Sequence, residues 1–239
     1  MSDEAARRAQ IEGGLAAVRQ RIDQARLVAG RADPVSLVVV TKTFPASDVR
    51  ILRDLGVTDV AENRVQEAEA KRREVESDGA DETLRWHMIG QIQRNKASAV
   101  AGWAHMVESV DRPELVAALG KAAVARSHAL DVLVQVALDP EPRPGRGGVD
   151  PREALELAAA VDAEPGLTLR GVMGVAPFPG DPDDAFERLA HVSAAVQERW
   201  QGADVVSAGM SGDLEWAVAH GATQVRIGGA ILGDRAYVQ

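Results

Sequence analysis

The segment PVSLVVVTK, residues 34–42, decides the fold. It is short, apolar throughout its middle and rich in β-branched residues. Such a run marks a strand covered on both faces, as in a parallel sheet flanked by helices. Upstream, residues 3–29 are rich in Ala, Arg, Gln and Glu, with Leu15, Val18, Ile22 and Ala25 at helical spacing and Gly30 placed as a C-cap. That pattern predicts a leading N-terminal amphipathic helix. Downstream the pattern alternates. Strands are predicted near 35–41, 58–61, 85–89, 105–109, 131–137, 168–174, 204–207 and 223–227. Helical patterns fill 47–55, 63–76, 93–101, 113–127, 151–162, 183–200 and 211–220. Strands alternating with helices in this number predict an α/β chain folded as a (β/α)8 TIM barrel, a single domain over 1–239. A flavodoxin-like or Rossmann sheet needs fewer strands and is the structural alternative. No linker divides the chain. The one long breaker-rich stretch, DPEPRPGRGGVDP (139–151), follows the fifth strand, on the face where barrels carry functional loops. A plain surface loop is the other reading.

Composition narrows the classes of function. The formal net charge is −9 over 239 residues, and an acidic surface disfavours nucleic acid and anionic lipid as partners. With no cysteine, disulfides, thiolate nucleophiles and thiolate metal sites are excluded. The N-terminal MSDEAARRAQ lacks an apolar stretch and does not read as a signal peptide. SLVVV is too short to span a bilayer. A cytoplasmic, monomeric protein without a membrane segment is expected. No histidine pair has metal-ligand spacing, so no metal site is expected.

Candidate chemistry gathers at predicted strand ends. Lys42 closes the first strand, where an amine above an apolar floor would be favoured neutral and able to form imines. A solvated strand-end lysine is the plainer reading. After the seventh strand, Gly209 and Gly212 flank Ser211, with Asp213 opening a helix. After the eighth, Gly228 and Gly229 precede a short helical turn at 230–233. Barrels commonly build a phosphate site from these two loops, although each turn alone would serve as a helix cap. Arg226, just before them, would need a buried acceptor. Glu62, at a strand end, is one candidate, and a pyridine nitrogen is another.

Five stretches then fit a known pattern: VVVTKTFPASDV (38–49), DVAENRVQEAEAK (59–71), WHMIGQIQRNK (86–96), RGVMGVAP (170–177) and SAGMSGDLEWAVAHGATQVRIGGAILGDR (207–235). With them the chain resembles the pyridoxal phosphate homeostasis proteins (YggS/PROSC type), related to the N-terminal barrel of alanine racemase. The resemblance implies pyridoxal 5′-phosphate as cofactor, held as a Schiff base on Lys42. Ser211 and the Gly228 and Gly229 amides would hold the phosphate, with Met210 beside that turn. Arg226 would face the pyridine nitrogen, and Asn63 would lie near the ring. His87 and Asn95 belong to the same pattern with a less defined role. Three departures stand out: Gly229 where a Thr or Ser is common, Ala137 where an Asn is common, and Arg146-Gly147-Gly148 in place of a Lys-x-Gly loop.

The resemblance implies a carrier or buffer of the cofactor inside the cell rather than an enzyme, with apo forms of pyridoxal phosphate enzymes as candidate partners. A weak amino-acid racemase is the alternative. A racemase needs a base on each face of the ring, and the single tyrosine, Tyr237, stands almost at the C-terminus. A class I aldolase-like barrel, with Lys42 joined to a phosphosugar, is the remaining rival.

Overall fold

The computed structural model describes residues 3–77, 83–126, 129–141 and 145–233. Its strands β1 (Ser36–Val40), β2 (Asp59–Glu62), β3 (Arg85–Met88), β4 (Met106–Val110), β5 (Leu130–Val136), β6 (Leu167–Gly174), β7 (Val205–Ser207) and β8 (Gln224–Ile227) form one closed barrel in sequence order. Every ladder is parallel, and β8 closes on β1 with Leu37 opposite Val225 and Val39 opposite Ile227. The (β/α)8 expectation holds, and the expected strands lie within one or two residues of those observed.

Helices α1 (Asp3–Val28), α2 (Ala46–Asp54), α3 (Val65–Glu76), α4 (Ala97–Ala101), α5 (Pro113–Ala123), α6 (Ala154–Asp162), α7 (Pro182–Arg199), α8 (Leu214–Ala219) and α9 (Gly229–Leu232) surround it. The helix expected at 93–101 is split, with a 3-10 turn at Arg94–Lys96 ahead of α4. Local chemistry sets several boundaries. Pro113 and Pro182 occupy first turns, where a missing N–H costs nothing. Asp181 caps α7 by accepting from the Asp183 N–H at 3.0 Å. Gly30, with φ 65°, ends α1 in the left-handed conformation that a C-cap requires.

α1 packs on its own barrel. Its buried stripe is Ile11, Leu15, Val18, Ile22 and Ala25. Gly14 lets it approach α9 so closely that an added Cβ would sit 2.7 Å from the Ile231 carbonyl oxygen. The main apolar core lies between strands and helices, while two smaller clusters, Val38/Val40/Ala61 and Met106/Leu133/Met173, belong to the other strand face. That face points into the barrel, because side chains alternate along a strand.

Candidate functional site

The C-terminal ends of the strands enclose a cavity of about 430 Å³. Lys42, Asn63, Met210, Ser211, Arg226, Gly228 and Gly229 all line it, together with Phe44, Ile89 and Val175. The residues singled out in the sequence thus come together from four strand ends far apart in the chain.

Lys42 follows β1 by two residues. The side chain of Thr41, before it, turns outward and donates to Glu62 Oε1 at 2.7 Å. Strand alternation therefore sends Lys42 inward. Both peptide groups flanking Lys42 are clamped. Lys71 Nζ donates to the Thr41 carbonyl oxygen (2.8 Å), and the Thr43 N–H donates to Glu67 Oε1 (2.5 Å). Lys71 also pairs with Glu62 (2.5 Å) and Glu67 (3.2 Å). Thr43 has φ 70°, an unfavourable conformation for a β-branched residue, and these contacts hold it there. Burial pushes the Glu62 carboxyl pKa up, outweighing the opposing effect of Lys71.

The opposite wall comes from the ends of β7 and β8. Asp213 accepts from the Met210 N–H at 2.6 Å and folds the Gly209–Gly212 turn. Gly228 abuts β1, where a Cβ would lie 2.8 Å from the Val40 carbonyl oxygen, whereas a Cβ on Gly229 would meet only open space. α1 braces both turns: Arg21 donates to the Ser211 carbonyl oxygen (3.1 Å) and Arg7 to that of Leu232 (3.0 Å). Arg7 also lies 5.7 Å from the centroid of the Phe44 ring at the cavity. At the ends of β2 and β3, Gly90 packs directly on the Asn63 backbone.

Arg226 is buried and its partner is not Glu62. Glu62 points away from the barrel interior to Lys71 and Thr41, because it shares the outward register of Val60. The carboxylate near Arg226 is that of Glu108 on β4, 3.8 Å away, with Ser207 between them. Burial lowers the Arg226 pKa, and Glu108 and Asp213 oppose that. Among the described residues, Lys42 and Arg226 are the ionisable side chains lining the cavity, so the charge they bring is opposite in sign to that of the protein as a whole.

Other expectations fall elsewhere. His87 lies inside the barrel between Asp59 and Glu108, below the cavity. Asn95 is exposed on the 3-10 turn. Ala137 is not among the residues lining the cavity, and its N–H donates to the Val149 carbonyl oxygen at 2.9 Å. Arg146 pairs with Asp139 (2.8 Å), donates to the carbonyl oxygens of Val175 and Ala176, and lines an adjoining cavity of about 220 Å³. Tyr237 and His128 lie outside the described residues. Sequence reading missed Lys71, Glu108 and Ser207. Strand register was the available signal, since it places Glu108 and Ser207 on the inward face and Glu62 on the outward one. Among the described residues, no group of three or more His, Asp or Glu is arranged to hold a metal, and no helix is long and apolar enough to cross a membrane.

Residues 14–236 match the family described as alanine racemase, N-terminal domain. A pyridoxal phosphate homeostasis protein of Mycobacterium tuberculosis is 44% identical, over 96% of this chain and 94% of the relative. Among solved structures, an unknown protein from Bifidobacterium adolescentis is similar at 31% identity with a TM-score of 0.87, covering 97% of each chain. PipY of Synechococcus elongatus, with PLP bound, is similar at 28% identity and a TM-score of 0.80, over 93% of this chain and 100% of that one. Matched by that family model over residues 14–236 and 44% identical to such a relative over nearly its whole length, the chain belongs to the pyridoxal phosphate homeostasis protein family.

Proposed function

We propose that this protein binds pyridoxal 5′-phosphate through a Schiff base on Lys42 and serves pyridoxal phosphate homeostasis as a buffer or carrier rather than as an enzyme. The observation that carries this reading is the cavity itself. It sets one amine, one guanidinium and a Gly/Ser rim around a space of about 430 Å³, within the usual range for a small-molecule site. The shape and donors fit the cofactor, a phosphorylated aromatic aldehyde. When bound, it supplies an aldehyde carbon that an amine can attack and a ring able to accept electrons.

The chain's own residues divide the work. Lys42 presents its amine from a backbone held on both sides by Lys71 and Glu67. The Ser211 hydroxyl and the Gly228–Gly229 backbone receive the phosphate, with Met210 beside them. Gly228 is required there because no Cβ fits against Val40. Arg226, fixed by Ser207 and the Gly174 carbonyl oxygen, would face the pyridine nitrogen as a donor. A donor at that position keeps the nitrogen unprotonated and the ring a poor electron sink. Asn63 and Ile89, which line the cavity, would lie near the ring.

Racemisation requires a second base across the ring from the lysine. Among the described residues lining the cavity, the other ionisable group is Arg226, which stays protonated at neutral pH. The relatives' printed names, homeostasis proteins rather than enzymes, agree. In this role the protein works in the cytoplasm, with apo forms of pyridoxal phosphate enzymes as partners. Spectrophotometric titration with pyridoxal phosphate, beside an amino-acid racemisation assay, tests the reading. Stoichiometric uptake without turnover is expected. Steady racemisation lost in Lys42→Ala would replace the carrier with an enzyme.

A further inference from the structure

Arg226, Ser207, Gln224, Glu108, His87 and Asp59 form one line inside the barrel, from the cavity down towards the opposite mouth. Arg226 Nη1 donates to Ser207 Oγ at 2.6 Å, and Nη2 donates to the Gly174 carbonyl oxygen at 2.9 Å. Ser207 donates to Glu108 Oε2 at 2.6 Å. Gln224 Nε2 donates to both Ser207 Oγ (3.0 Å) and Glu108 Oε1 (2.9 Å). His87 then spans Glu108 Oε1 (Nδ1, 2.7 Å) and Asp59 Oδ1 (Nε2, 3.0 Å). Glu108 on β4 touches β7 and β8, which are not its sheet neighbours, so these bonds cross the barrel interior.

Two features make this line directional. The Ser207 hydroxyl has one proton and two lone pairs. Arg226 and Gln224 donate to it, so its proton goes to Glu108. His87 places both ring nitrogens against carboxylates, and satisfying both requires the doubly protonated, cationic ring. Charges therefore alternate: Arg226 positive, Glu108 negative, His87 positive, Asp59 negative. The side chains of Arg226, Glu108 and His87 are 3%, 0% and 1% exposed. Barrel interiors are usually filled with branched apolar side chains, and apolar replacements of buried ion pairs are often no less stable. Stability alone is thus a weak reason for this arrangement.

We propose that Glu108 and His87 are positioning residues for the cofactor pocket, holding the Arg226 guanidinium in place so that its grip on pyridoxal phosphate is coupled to the charge of His87 deeper in the barrel. This rests on the reading that the cavity holds that cofactor. The groups facing His87 are Asp59 on β2, Glu108 on β4 and Arg226 beyond it on β8, with Arg85 on its own strand 3.6 Å from Asp59 and His105 also acting on it through space.

A double-mutant cycle on affinity for pyridoxal phosphate tests the coupling, using wild type, Glu108→Gln, Arg226→Gln and the double variant. Glu108→Gln is expected to weaken binding by about tenfold or more, and the double variant to bind no more weakly than Arg226→Gln alone, as residues acting through one another do. A Glu108→Gln protein that binds like wild type, or losses that simply add, would overturn the coupling. Wild type is the control: failure to take up pyridoxal phosphate there brings down the cofactor reading instead. If Glu108→Gln does not fold, ¹⁵N NMR of wild-type His87 decides. Its ring signals and titration midpoint are expected to move on loading with pyridoxal phosphate, because coupling between sites is reciprocal. Unchanged signals would contradict the proposal.

Discussion

The Lys71 ammonium lies 2.8 Å from the carbonyl oxygen of Thr41, the residue immediately before Lys42. A buried cation on one helix thereby fixes the backbone from which Lys42 reaches the cavity. Removing one partner of a buried pair strands the other charge, at a cost of about 3–5 kcal/mol. Lys71→Met is expected to lose that much in urea unfolding and to weaken pyridoxal phosphate uptake as the Thr41–Thr43 turn relaxes. Adding Glu62→Met should restore much of the stability but less of the uptake, because the clamp on Thr41 remains absent.

The two glycines after β8 should respond in opposite ways. Gly229 has open space where a Cβ would go, while Gly228 has the Val40 carbonyl oxygen at 2.8 Å. Gly229→Ser offers a hydroxyl to the phosphate, and a hydrogen bond to a charged group contributes about 1.5–3 kcal/mol. Binding roughly tenfold tighter is expected by absorbance titration. Gly228→Ala is expected to bind about tenfold more weakly or worse, since the rim must move away from β1.

Stability should fall on the alkaline side because of His87. Burial alone would lower its pKa, but the hydrogen bonds to Asp59 and Glu108 outweigh it and hold the ring at about 9, against an ordinary 6.5. A group raised on folding stabilises fully below its unfolded pKa and loses that contribution as pH rises through the folded one. Chemical unfolding should therefore show a loss on the order of 3 kcal/mol between pH 6.5 and 9. His87→Gln should flatten that slope. An equal slope in the variant would assign the loss to other groups.

The leading helix is a brace for the pocket. Gly14→Ala would set a methyl group 2.7 Å from the Ile231 carbonyl oxygen and push α1 off α9. A stability loss of about 1–3 kcal/mol is expected, as for other overpacked contacts. Pyridoxal phosphate affinity should fall with it, because α9 begins at Gly229. Arg19→Ala, on the same helix but with an exposed side chain, serves as the control.

Much of this was legible in the sequence because parallel strands are buried on both faces. Runs such as SLVVV and LDVLVQV announce themselves by composition, and alternation with helices then leaves few topologies. The cavity residues were legible because each stands at or just after a strand end, and those at the ends of β7 and β8 lie among glycines. Lys71 was not, since on a helix rich in Glu and Arg a buried cation has the same spacing as a solvated one. The partner of Arg226 was misjudged for a related reason. Glu62 and Glu108 both lie on strands, and inward and outward positions differ by one residue of register. The 139–151 segment read as a loop, but nothing in its Pro/Gly composition showed that Val149 would pair back against β5.

The most direct test of the central claim is to load the protein with pyridoxal phosphate, reduce it with borohydride and map the modified peptide by mass spectrometry. The account predicts one phosphopyridoxyl group per chain, on Lys42, with none fixed in Lys42→Ala. Stable modification of a different lysine, or of none while the cofactor still binds, would contradict it.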